Sequence, residues 1–276
     1  MRALRRISPL FLLLIASFLF SIGPRAQTPQ AQSAPAAAPQ AVTSPSNPDR
    51  PWVGCEPEIE EFIRTAPVIK LETIDLGVTH PQRAWFAPGG PIDSIAWKPI
   101  RPALYSGYWE SWKNEVAAYE LDKLLQIHMV PPAVAKKIKG AEGAAIYWVH
   151  DTKMWKELKE VPKPNTPEWN VQMMHMKMFD NLIGNIDDNA GNILVSNNWT
   201  VYLIDHSRAF VPDDIMPQKL QNVDPSLWAR VKALDEPRLK ATLGEWLDGR
   251  SIRAILKRRD KMAKQIEEIE KKKTAS

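Results

Sequence analysis

Two stretches, FDNLIGNIDDNAGNILV from Phe179 to Val195 and VYLIDHS from Val201 to Ser207, decide how this chain is read. Val171, Met174, Met178, Phe179 and Leu182 recur at helical spacing behind Thr166 and Pro167, which predicts a helix from Pro167 to Ile183 that delivers a polar loop. The segments Asn192 to Val195 and Thr200 to Ile204 flank Ser196-Asn197-Asn198 as the arms of a hairpin do. Asn192 then follows Asp187 by five residues, and Asp205 follows it by eighteen. Folding the hairpin brings the Asn192 amide and the Asp205 carboxylate to one mouth, where both offer oxygen to a hard cation. An Asx-rich turn would by itself explain Asp187 and Asn192, but not Asp205 at that offset. A calcium loop starting at Asp187 fails, because Gly191 stands where a ligand is needed and no glutamate occupies the twelfth position.

Phosphoryl transfer asks little covalent chemistry of a protein: a base near the attacking hydroxyl, oxygen ligands for magnesium, and a cation on the nucleotide phosphates. Asp187 suits the first role, and Asn192 with Asp205 the second. Lys98 suits the third, at the end of a β-like segment, Ser94 to Ile100, that follows a Gly89-Gly90 turn able to cover phosphates. Glu115, in the first turn of a helix predicted over Trp112 to Leu125, is placed to hold Lys98, with Glu120 its rival; the Pro131-Pro132 pair is expected to end that helix.

The stretch NEVAAYELDKLLQIHMVPP, Asn114 to Pro132, together with the Asp187 to Asp205 block, resembles the atypical kinase-like superfamily. That group includes secretory-pathway protein and glycan kinases, phosphatidylinositol 3- and 4-kinases and bacterial toxin kinases. The resemblance runs roughly from Pro57 to Arg259, and "VPP" and "IDHSRAF" look most like the secretory kinases and their bacterial relatives. It implies an α+β, two-lobed protein-kinase-like fold with a small β-rich N-lobe and a mainly helical C-lobe. It also implies ATP with Mg2+ or Mn2+, Asp187 as catalytic aspartate, Asn192 and Asp205 as metal ligands, and Lys98 with Glu115 orienting the nucleotide; Gly89 and Gly90 are added as cofactor-binding residues from the turn before Lys98. Two departures stand out. Asp188 and Asn189 replace the family's basic residue and histidine, and His206-Ser207 replaces the glycine after the metal aspartate.

The expected activity is transfer of a phosphoryl group to a hydroxyl of a protein, glycan or lipid headgroup. The alternative is a catalytically inactive kinase-like module that binds a nucleotide, glycan or protein. Arg2, Arg5 and Arg6 precede an apolar run from Pro9 to Gly23, the pattern of a secretory leader over residues 1–26. The run is shorter than the ~20 residues of a spanning helix, so membrane attachment is expected only through an uncleaved leader, and the domain is placed in the periplasm or outside the cell. Without the leader the chain has 32 basic against 32 acidic residues, which removes the case for nucleic acid. A Pro/Ala/Gln/Ser linker is expected over 27–52, the N-lobe over 53–150, the C-lobe over 151–262, and a basic frayed tail over 263–276. The five histidines form no metal pair at helical spacing, no G-x-S-x-G elbow appears, and a lone Cys55 has nothing to bridge.

Overall fold

Proline and charge placement explain the first element of the chain. In α1 (Glu56–Thr65), Pro57 sits in the first turn, Glu56 and Glu58 face the positive end of the helix dipole and Arg64 the negative end. The computed structural model describes residues 48–74, 81–159, 161–187 and 189–274. The leader, most of the linker and Asp188 lie outside them.

Five strands make an antiparallel sheet in the order β1-β2-β3-β7-β6: β1 (Val68–Thr73), β2 (Gln82–Phe86), β3 (Ser94–Lys98), β6 (Ala133–Ile138) and β7 (Ala141–Tyr147). A small hairpin, β4 (Ala103–Tyr105) and β5 (Tyr108–Glu110), turns on Ser106 and Gly107, both at positive φ, and exposes Leu104, Tyr105, Tyr108 and Trp109. Its strands have three residues each, too few to set up a visible alternation, and the sequence reading has no counterpart to it. Next comes α2 (Trp112–Leu125), whose Ser111 cap accepts from the Lys113 N–H at 3.1 Å. It stops at left-handed Gln126, where Asp122 Oδ2 takes the N–H groups of Met129 and Val130 at 3.0 and 3.2 Å. The Pro131-Pro132 pair therefore lies beyond the helix end and does not cause it.

A three-stranded sheet in the order β10-β9-β8 follows, from β8 (Thr152–Met154), β9 (Ile193–Ser196) and β10 (Val201–Leu203). Between β8 and β9 runs α3 (Pro167–Ile183), capped by Thr166 and ended by Gly184 at φ +64°. The remainder is helical: α4 (Pro225–Lys232), α5 (Glu236–Leu243) and α6 (Gly249–Thr274). Arg258 of α6 is fully buried and donates to the carbonyls of Leu182, Val211 and Asp213 at 2.9, 3.2 and 2.7 Å. A Cβ on Gly184 would come within 2.9 Å of its guanidinium, so this position needs glycine for space as well as for φ.

The apolar interior has two parts. One joins α1 and the large sheet through Ile59, Ile63, Phe86, Ile95 and Trp97. The other joins α2 to α3–α6 through Val116, Leu121, Phe179, Leu182, Leu243 and Ile255, so α2 shares its core with the helical region.

Both predicted margins shift. Trp52, assigned to the linker, is 1 % exposed and packs on Tyr147 and Tyr202, while Arg50 donates to the Val201 carbonyl at 3.3 Å. Composition registers a polar, proline-rich average and misses one indole with a surface to fill. The tail assigned as frayed from 263 is helical to Thr274, because Ile266 still reaches the core at 4 % exposure. Replacing Trp52 by Ala is expected to cost about 3–5 kcal/mol in urea unfolding, and a loss below ~0.5 kcal/mol would return the residue to the linker.

Candidate active site

Lys98 ends β3, and its side chain is enclosed. Its Nζ donates to Glu115 Oε1 at 2.8 Å and pairs with Asp205 Oδ1 at 2.9 Å, and the Lys98 and Glu115 side chains are 8 % and 2 % exposed. Gly143 makes room for this end of the strand, since a Cβ there would lie 2.7 Å from the Lys98 carbonyl oxygen. Asp205 adopts a left-handed backbone at φ +63°, which turns the next N–H, that of His206, onto Glu115 Oε2 at 3.0 Å. Burial alone would discharge the lysine, but Asp205 and Glu115 outweigh it and raise its pKa. Burial likewise pushes Glu115 up, and Lys98 with His206 overcomes it and holds the carboxyl low.

The loop after α3 is built from its own amides. Asn185 Nδ2 donates to Asp180 Oδ1 at 3.1 Å, and Asn185 Oδ1 accepts from the Asp187 N–H at 3.3 Å. Asn192 Nδ2 donates to the Asp187 carbonyl at 2.8 Å, and the Asn192 carbonyl accepts from the Ile204 N–H at 3.0 Å, which ties the loop to the residue before Asp205. Asp187 Oδ2 pairs with Arg208 Nη1 at 3.0 Å, and Arg208 grips the buried Glu110 through Nε and Nη2 at 2.9 and 2.7 Å. Arg208 also lies 4.7 Å from the centre of the Tyr108 ring. Asn114 holds the segment behind it, donating to the carbonyls of Ser207 and Ala209 at 2.8 Å each.

Thus Lys98, Glu115 and Asp205 meet directly, and Asn192 and Asp187 join them through the backbone and Arg208. Gly89 and Gly90 do not. They lie in the β2–β3 turn at the Ser94 end of β3, roughly 13 Å of strand away from Lys98. The role of covering the nucleotide is withdrawn from them, because adjacency in sequence placed them at the wrong end of the strand. Gly90 instead accommodates Phe62 of α1, whose ring would meet a Cβ at 2.3 Å. Glu120, the rival to Glu115, pairs with Lys123. Two residues were missed, Glu110 and Arg208. An ion pair between positions so far apart leaves no local pattern, and the one available signal was an arginine three residues after Asp205.

The cluster holds two cations, Lys98 and Arg208, among four carboxylates, Glu110, Glu115, Asp187 and Asp205, a formal charge of −2. Asp205 Oδ2 and Asn192 Oδ1 carry no protein partner among the described residues. Nor do any three His, Cys, Asp or Glu side chains among them form a cage of their own. These two oxygens are of the donor type that a hard divalent ion takes, with the rest of its shell left to phosphate or water. A cavity of about 400 Å3 bounded by Val68–Leu71 and Lys136–Lys139 includes none of these residues.

Replacing Lys98 by Met strands Glu115 in the interior, which is expected to cost about 3–5 kcal/mol near pH 7. In the wild type, Glu115 contributes stability above the ordinary carboxylate range that is lost on acidification. In the variant its folded pKa is raised, so the sign reverses. Urea unfolding is expected to show the gap between the two proteins narrowing from about pH 7 to about pH 4. A constant gap would remove Glu115 as the lysine's partner.

No family model matches the chain, and no curated protein does. Solved structures do. The Golgi casein kinase is 17 % identical at a TM-score of 0.57, covering 78 % of this chain and 75 % of that one. The Golgi casein kinase with Mn/ADP bound is 16 % identical at 0.54, over 76 % and 75 %. Hydra Fam20 with sugar is 16 % identical at 0.57, over 78 % and 89 %. The β-rich N-terminal part and helical C-terminal part of this chain form an α+β fold similar to that of these kinase structures.

Proposed function

We propose that this chain is an ATP- and Mg2+-dependent phosphotransferase acting on a hydroxyl acceptor, with Mn2+ an alternative ion. The observation that carries the proposal is Lys98 held at 2.8 and 2.9 Å between Glu115 and Asp205, a buried lysine fixed by one carboxylate beside another that retains a free oxygen. Lys98 then orients the nucleotide phosphates, Glu115 holds Lys98, and Asp205 Oδ2 with Asn192 Oδ1 would hold the cation. Asp187 orients the acceptor hydroxyl and receives its proton. Bound ATP and its metal supply the γ-phosphoryl group and neutralise the charge that builds on it. The similar Golgi casein kinase structure with Mn/ADP bound supports the use of a nucleotide and a divalent metal. The acceptor class comprises protein, glycan and lipid-headgroup hydroxyls, and the leader-like residues 1–26 support action outside the cytoplasm.

One observation favours a second reading. Both Asp187 oxygens are engaged, Oδ2 by Arg208 and Oδ1 by Asn189 Nδ2 at 3.3 Å, as suits a module that binds a nucleotide without transferring from it.

Thermal melting with and without magnesium and ATP tests the site. The expected result is a metal-dependent rise, about 2.7 kcal/mol of added stability at a hundredfold excess over Kd, that disappears in Asp205→Ala. No rise in the wild type rejects the nucleotide site. In Asp187→Ala the rise is expected to persist while phosphoryl transfer falls by at least ~100-fold, and equal transfer rates would strip Asp187 of its role.

A further inference from the structure

The loop that presents Asp187 brings no positive charge of its own: the described residues from Asp187 to Asn192 are Asp, Asn, Ala, Gly and Asn. A terminal phosphate beside the Asp187 carboxylate meets repulsion unless a cation enters from elsewhere. The fold brings one from the segment after β10. Arg208 Nη1 stands 3.0 Å from Asp187 Oδ2, while Nε and Nη2 are fixed on Glu110, which is 3 % exposed. Glu110 immediately precedes Ser111, the cap of α2, so the anchor of Arg208 belongs to the helix start that also positions Glu115.

Resting on the phosphotransferase reading, we infer that Arg208 is a phosphate-binding residue that takes an oxygen of the nucleotide's terminal phosphate and so screens it from Asp187. A guanidinium has five N–H groups, and the three contacts above leave two without a protein partner among the described residues. Its side chain is 21 % exposed, enough to meet a ligand while remaining clamped. Its planar fork suits phosphate oxygens, and the Tyr108 ring limits its swing. Lys156 is the competing cation. Its Nζ passes 3.7 Å from where Gly191 would carry a Cβ.

Calorimetric titration with magnesium–AMP-PNP and with magnesium–ADP tests this, since the two nucleotides differ by the terminal phosphate. Arg208→Ala alone would bury an unpaired Glu110, so the working variant is Glu110→Gln/Arg208→Gln, which keeps a hydrogen-bonded pair without charge; Arg208→Lys serves as the conservative variant. The double variant is expected to bind AMP-PNP about 10- to 100-fold more weakly with ADP affinity within about twofold of wild type, and Arg208→Lys to recover part of the loss. Lys156→Ala is expected to leave both affinities unchanged. Equal losses for the two nucleotides would reduce Arg208 to a structural clamp. An unaltered preference in the double variant, or its loss in Lys156→Ala, would overturn the inference. A wild-type protein that binds ADP and not AMP-PNP would sink it while sparing the nucleotide site, whereas binding of neither would overturn the functional reading together with it.

Discussion

The Lys98 ammonium group is the point on which the site depends, because it is held by two carboxylates from distant parts of the chain. Glu115 comes from α2 and Asp205 from the turn after β10, with the lysine itself at the end of β3. A buried ammonium is costly unless it is paired, so each of the three elements is restrained by the charge of the others. The left-handed backbone at Asp205 belongs to the same arrangement, since it allows the His206 N–H to reach the second oxygen of Glu115. Sheet, helix and loop therefore meet at an electrostatic junction as well as at an apolar one.

Around that junction the loops are held by amides and by one further cation. Asn185, Asn189 and Asn192 bond within the Asp187 loop, and Asn114 secures the segment that carries Arg208. Arg208 in turn joins Glu110, at the foot of the exposed β4–β5 hairpin, to Asp187. Leu104 and Trp109, a cross-strand pair in that hairpin, face solvent at 71 % and 45 % exposure a short distance along the chain from this clamp.

Much of this was legible in the sequence where the signal is local. Thr166 and Pro167 start α3 where the sequence places them, the helix ends at Ile183, and the spacing of Asp187, Asn192 and Asp205 survives folding because a hairpin converts a sequence offset into proximity. What escaped was non-local. Glu110 and Arg208 meet across almost a hundred residues. Gly89 and Gly90 looked close to Lys98 along the chain, yet an extended strand carries the lysine to the opposite end of the sheet. Trp52 was hidden by the composition around it, since burial of one indole depends on Tyr147 and Tyr202, which lie in two different sheets.

The buried guanidinium of Arg258 bears on the order in which the protein can be built. Of the carbonyls it satisfies, that of Leu182 lies in the last turn of the helix that delivers the Asp187 loop, while those of Val211 and Asp213 lie in the segment after β10, and the donor lies 76 residues downstream of Leu182. A ribosome that has released α3 and both arms of the β9–β10 hairpin has still not supplied the group that completes their packing. The Arg258 contacts can therefore form only after synthesis has passed α5.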